Sequence, residues 1–236
     1  SLPKTLRDEV ADFVEFLKKK SKSKSKLKMR EFGFAKGKIK LSLVKLQPNG
    51  HIDYNHLEEL LQNNERSLVS LMHANNEIGN LLDIEAVGNL CEQYGAYFHS
   101  DTVQTMGHYR HDLKKLNVHG MTAAAHKFHG PKGVGFMYIN KDKKIKQFVH
   151  GGAQERNMRG GTENVYGIIG LAKALEICYR EMDEHQAYIT SLKKKMIEQL
   201  KASIPGVSFN GNSGDLSKSL YTVLNVSLPE NEENEM

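Results

Sequence analysis

From Lys38 onward, short apolar runs alternate with amphipathic helical stretches, and that alternation restricts the chain to a sheet with helices packed on its faces. IKLSLVKL (39–46) alternates as a half-exposed strand, SLVSLMH (67–73) is short enough for a buried one, and NHLEELLQN between them has helical spacing. Asp83 is placed to cap a helix whose Ile84, Val87, Leu90, Cys91 and Tyr94 recur at three- and four-residue steps, with Gly95 placed to end it. AYFHS (96–100), GMTAAA (120–125) and GVGFMYI (133–139) read as further strands. A helical pattern then runs from about Asn164 to about Ala202, with a bend or break expected near Gly167 and Gly170. VSFNG and SLYTVLNVSL (219–228) read as strands of a second, smaller unit.

Composition narrows the class. The chain has 236 residues, 39% hydrophobic and 26% charged, which suits a globular protein rather than a disordered polymer. It contains no apolar window of membrane-spanning length and no apolar leader at its start, so the cytoplasm is the expected compartment. Two cysteines, Cys91 and Cys178, cannot make a disulfide framework; both lie in helical stretches, where cysteine acts as a small hydrophobe. The formal charge of +5 is local, because residues 18–30, KKKSKSKSKLKMR, hold eight of the 33 basic residues and no acid. Without interleaved aromatics that run reads as a solvated tether after a short helix at 8–17, and nucleic-acid binding is not expected. The expected organisation is a helix and tether over 1–36, a large α/β domain over 37–183, and the beginning of a small α+β domain over 184–236.

In an open α/β sheet, ligands bind beyond the carboxyl ends of the strands. Those positions are polar here. Asn75 and Asn76 follow the run at 67–73, Asp101 and Gln104 follow 96–100, and His126 and Lys127 follow 120–125. Taken singly, the asparagines and the aspartate are ordinary turn or cap residues, and Lys127 an ordinary surface lysine. Taken together, on successive strand ends, they fit one chemistry. A lysine among small residues can attach an aldehyde cofactor covalently, and pyridoxal phosphate also requires a fixed carboxylate, for which Asp101 is placed, at its ring nitrogen. Asn76 and Gln104 suit its phenolic oxygen, and His99 can lie against the ring. His126 and Thr162, the latter in the RGGTEN loop at a helix start, suit its phosphate.

Four segments, MHANNEIGNLLDI (72–84), FHSDTVQTMG (98–107), AAAHKFHGPKGVGFMYI (123–139) and GGAQERNMRGGTENV (151–165), carry a resemblance to a known family. The sequence resembles the class V aminotransferase group of fold-type I pyridoxal-phosphate enzymes, and within it the cysteine desulfurases. That resemblance implies a mostly parallel sheet with flanking helices in an incomplete large domain, followed by part of a small domain. It implies that Lys127 binds the cofactor, that Asp101 pairs with the pyridine nitrogen, and that Asn76 and Gln104 contact the phenolic oxygen. His126 would contact the phosphate, and Thr162 the phosphate of a partner subunit, so a homodimer is implied.

The implied reaction converts L-cysteine to L-alanine and leaves sulfur as a persulfide on an enzyme cysteine, for iron–sulfur cluster assembly or tRNA thiolation. An acceptor scaffold or a tRNA-modifying protein would take the sulfur. Family features outside the matched segments are a phosphate loop and ring-stacking histidine upstream, and a cysteine-bearing loop and substrate-binding arginine downstream. Cys91 and Cys178 do not match that cysteine, and Ala124 stands where the family often has a hydroxyl, so the chain reads as a central fragment, inactive alone. Two alternatives stand beside this reading: another class V enzyme such as a selenocysteine lyase, and a non-catalytic metal-binding protein. The second is prompted by six histidines between His99 and His129, including His108-x2-His111 and His126-x2-His129.

Overall fold

The computed structural model describes residues 39–143 and 145–229; the helix and tether expected over 1–36 lie outside them. The chain divides into two units, Ser1–Leu43 and Val44–Met236. Of the first, residues 39–43 are described, and their Ile39, Leu41 and Leu43 side chains are exposed.

The second unit is built on a four-stranded sheet in the order β1 (Leu68–Met72), β2 (Tyr97–Asp101), β3 (Gly120–Ala124), β4 (Gly135–Ile139). β1, β2 and β3 run parallel, with Met72 beside Asp101 and Asp101 beside Thr122; β4 returns antiparallel to β3. The α/β class expected from the alternation, and the mostly parallel sheet that the resemblance implies, are therefore present. Helix α1 (Tyr54–Gln62) precedes β1, and α2 (Ile84–Gln93) makes the crossover between β1 and β2. Each starts where a side-chain oxygen meets an orphan amide: Asp53 accepts from His56 N at 3.1 Å and Asp83 from Ala86 N at 2.9 Å. Gly95, at φ +62°, turns the chain out of α2 in a conformation that penalises a Cβ.

Alternation along each strand sends one set of side chains into the core and the other outward. Inward go Val69, Phe98, Met121 and Ala123, which pack in one cluster with Leu57, Leu61, Ile84, Val87 and Cys91 of the helices. Phe98 is fully buried, worth about 3 kcal/mol of apolar transfer at most. On the opposite face Leu68, Met72 and Met137 remain 67%, 47% and 47% exposed. One side of the sheet is a core, and the other is an open surface.

Helix α3 (Val165–Ser203) is a single element of 39 residues. The break expected near Gly167 and Gly170 is absent, because each glycine answers a close approach instead. A Cβ on Gly167 would meet the Asn164 side chain, which caps the helix, and one on Gly170 would lie 2.6 Å from Pro131 Cγ. Toward the C-terminal end of α3, Lys193 is buried and donates to Ser219 Oγ at 2.7 Å and to the Leu220 carbonyl at 3.1 Å. A two-stranded ribbon, β5 (Ser208–Phe209) with β6 (Val226–Ser227), follows.

Two strand expectations need correction. Residues 39–46 form no strand, only bridge positions at Ile39 and Leu46, and 219–228 contributes only Val226–Ser227 to a sheet. Alternating apolar residues make a strand only where a neighbouring strand takes up the backbone hydrogen bonds. Leu46 is bridged to Ile52 alone, while Leu220 and Tyr221 are buried as a core-packed segment.

Candidate functional site

The three parallel strands end at one edge, and five of the candidate residues lie there. Asn76 follows β1, Asp101 closes β2, Gln104 lies in the turn beyond it, and His126 and Lys127 sit in a 3-10 turn (Ala125–Phe128) that continues β3. His99 is two residues before Asp101 and so shares its face of β2. Thr162 stands apart in sequence, two residues before the Asn164 cap of α3; no hydrogen bond or ion pair among the described residues joins it to the others.

The local structure explains these placements. Asp101 Oδ1 accepts from Val103 N at 2.9 Å, the turn bond expected of an aspartate here. That bond uses one oxygen, and Asp101 makes no ion pair among the described residues. Asn75 closes its own turn by accepting from Glu77 N and Ile78 N, both at 2.9 Å, whereas the Asn76 amide donates to Glu77 Oε1 at 2.7 Å. His99 Nδ1 lies 2.9 Å from Ser70 Oγ. Partial burial holds its imidazole below the ordinary range, against an opposing pull from Asp101.

The 3-10 turn is held from three sides. His129 N and Gly130 N both close on the Ala125 carbonyl, and His129 takes φ +65° at the end of the turn. Phe128 is fully buried, and Cys178 Sγ of α3 lies 3.5 Å from its carbonyl. Against these fixed neighbours the Lys127 side chain is exposed, and its amine makes no hydrogen bond or ion pair among the described residues. The side chains of Gln104, His126 and Thr162 are likewise without hydrogen-bond partners there. The edge thus presents an amine, a carboxylate oxygen, an amide and an imidazole that the fold does not consume.

The loop that carries Thr162 has unusual backbone geometry. Glu155, Arg156 and Asn157 all take positive φ, at 48°, 55° and 64°, a left-handed run that side chains rarely adopt. Gly160 is pressed against Gly151, whose backbone would meet a Cβ there at 2.6 Å.

His108 and His111 of the first His-x2-His spacing turn to different partners. His108 lies against Tyr221 and the Lys127 carbonyl, whereas His111 Nε2 lies 3.1 Å from His73 Nδ1 and 3.4 Å from Thr105 Oγ1. Among the described residues no three His, Cys, Asp or Glu side chains are grouped to hold a metal ion. Both cysteines are buried, and burial pushes the Cys91 thiol up to about 11, so neither is poised as a nucleophile. The contact of the Lys127 turn with His108, and that of His108 with Tyr221, were not revealed by the sequence, since the partners are far apart along the chain.

A family model described as aminotransferase class-V matches residues 20–234. Among curated proteins, the chain is 39% identical over 188 residues to "Cysteine desulfurase IscS" of Clostridium botulinum (strain Hall), covering 80% of this chain and 47% of that protein. It is 46% identical over 145 residues to the protein of the same name from Methanosarcina thermophila, covering 61% and 36%. Among solved structures, a NifS-like protein from Rickettsia africae superposes with a TM-score of 0.73 at 30% identity, over 80% of this chain and 52% of that one. A second NifS-like protein gives 0.76 at 37% identity, over 83% and 52%. The chain spans about half the length of the curated relatives it matches. Among the described residues no helix is long and apolar enough to cross a membrane.

Proposed function

This chain belongs to the class-V aminotransferase family, and on that premise we propose that it carries the cofactor-binding part of a cysteine desulfurase, with Lys127 as the cofactor lysine. The observation that carries the reading is the free amine of Lys127 on the same strand-end edge as the partly free carboxylate of Asp101. The donor set fits pyridoxal phosphate: an exposed amine on a rigid turn, a carboxylate on the neighbouring strand, and amide and imidazole groups with no other partner among the described residues. When bound, that cofactor supplies an electron sink next to the substrate α-carbon.

The chain's own groups then have distinct tasks. Asp101 holds the proton on the cofactor's ring nitrogen, and its Val103 turn bond fixes the carboxylate for that purpose. His99, on the same strand face, lies against the ring, while Gln104 and Asn76 donate toward the phenolic oxygen. His126 contributes to the phosphate site of this chain, and Thr162 reaches the phosphate site of a partner subunit. The Lys127 amine would serve as general base toward the α-carbon proton of L-cysteine. The thiol that accepts sulfur is assigned to neither Cys91 nor Cys178, both buried.

A homodimer is part of the same proposal. Its support is the exposed apolar stretch Val165, Tyr166, Ile168 and Ile169 at the start of α3, directly after Thr162. Transfer of the sulfur to a scaffold for iron–sulfur cluster assembly or to tRNA-modifying proteins, in the cytoplasm, completes it.

The test is covalent capture. The chain is mixed with pyridoxal phosphate, reduced with borohydride and mapped by peptide mass spectrometry; the adduct is expected on Lys127 and absent from Lys127→Ala. Asp101→Asn should lower capture by about tenfold or more, the scale of a lost charge-assisted hydrogen bond. An adduct spread over surface lysines, unaffected by either substitution, rejects the assignment.

A further inference from the structure

The turn that carries Lys127 is tied to a distant part of the chain through one imidazole. Gly107, at φ +78°, lets the loop after β2 pass so close to Phe128 that a Cβ on the glycine would lie 2.9 Å from Phe128 Cβ. The next residue, His108, places Nε2 3.2 Å from the Lys127 carbonyl oxygen and Nδ1 2.7 Å from the Tyr221 hydroxyl. A carbonyl can only accept, so Nε2 carries the proton. In the neutral ring Nδ1 is then an acceptor, and the Tyr221 hydroxyl donates to it.

Both ends of this relay favour that arrangement. Burial, the larger effect, holds the His108 imidazole below its ordinary range against the opposing Lys127 carbonyl, and burial pushes the Tyr221 hydroxyl up to about 12. Tyr221 is 4% exposed, and the segment holding it is fastened by Leu220 N to the Gly79 carbonyl at 2.7 Å and by the buried Lys193 amine to Ser219 and Leu220. The closing bonds of the turn go to the Ala125 carbonyl, whereas the Lys127 carbonyl accepts from His108.

We propose that His108, anchored by Tyr221, is a positioning residue for Lys127: it fixes the Lys127 peptide plane, and with it the direction from which the amine reaches the cofactor. The proposal rests on the reading of Lys127 as the cofactor lysine. His108 acts through the backbone and touches neither cofactor nor substrate. The segment after α3 thereby sets the geometry of a group two strands away.

The experiment compares the full chain with His108→Leu, His108→Gln and Tyr221→Phe. Glutamine keeps one donor and one acceptor, as in the neutral ring; leucine keeps neither, and Tyr221→Phe removes a single hydroxyl. Hydrogen exchange by mass spectrometry, on protein without added cofactor, reads the peptide covering 125–130. Borohydride capture of pyridoxal phosphate on Lys127 reads the consequence.

His108→Leu and Tyr221→Phe should speed exchange at 125–130 by roughly three- to tenfold, the factor one neutral hydrogen bond supplies, and weaken capture similarly. Exchange across β1 should not change, and His108→Gln should stay within about twofold of the parent in both readouts. Should His108→Leu fail to fold, Tyr221→Phe carries the test alone. Normal capture in the parent with unaltered exchange and capture in the variants overturns the proposal. A parent that captures nothing on Lys127 overturns the underlying reading, and the proposal with it.

Discussion

His73 and His111 meet inside the fold as neutral rings, and both are held down to about 4, chiefly by burial. For His73 the neighbouring His111 lowers the value further and Asp83 opposes it. His73 Nδ1 lies 2.9 Å from Thr105 Oγ1 and 3.1 Å from His111 Nε2, while the remaining buried nitrogen of His111 has no partner. An unfolded histidine binds its proton near pH 6.5, so between pH 6.5 and about 4 the unfolded chain takes up more protons than the folded one. Stability is therefore complete above that window and is lost as pH falls through it, by up to about 3 kcal/mol for His73 alone. Urea midpoints measured from pH 7.5 to 4.5 should fall, and more shallowly in His111→Gln; equal slopes would remove the histidine explanation. Neither ring was assigned this role from the sequence. His111 appeared there only as half of a metal-like spacing, because its partner lies 38 positions away on another loop.

Among the elements, the 3-10 turn depends on how tightly β4 closes on β3. A Cβ on Gly135 would run into the Ala123 carbonyl oxygen, one residue before the strand end that feeds the turn. Gly135→Ala should cost about 1–3 kcal/mol by overpacking and reduce cofactor capture more than a distant substitution of equal cost. Comparing capture with thermal midpoints across such a pair checks this; proportional losses would mean that β4 supports only global stability. Local signals were legible where chemistry is local. Asp83 and Gly95 bracket α2 as their side-chain oxygen and positive φ dictate, and the polar residues after each parallel strand could be read from the order of apolar runs. Non-local facts were not. The alternation at 39–46 has no record of whether a pairing strand exists, Gly170 reads as a helix breaker until Pro131 is seen against it, and the distance between His108 and Tyr221 along the chain hides their contact.

At the scale of the whole molecule, the sheet buries one face and leaves the other open, with Met72 and Met137 in the register row of Asp101 and Leu68 beside Tyr97 on the same face. Apolar side chains across a sheet face favour association. The chain should bind a hydrophobic dye and sediment with a concentration-dependent mass, and Leu68→Lys with Met137→Lys should reduce both without lowering the thermal midpoint. Unchanged dye binding in the double variant would place the sticky surface elsewhere, at the start of α3.

Helix α3 has a mechanical consequence of its own. Its 39 residues, at about 1.5 Å each, make a rod of about 58 Å that begins beside the glycine-rich loop and runs on to the ribbon beyond Ser203. A pivot of about 5° at the near end would swing the far end by about 5 Å on a rod of that length. By leverage of this kind, small angular errors at one terminus become ångström-scale displacements at the other.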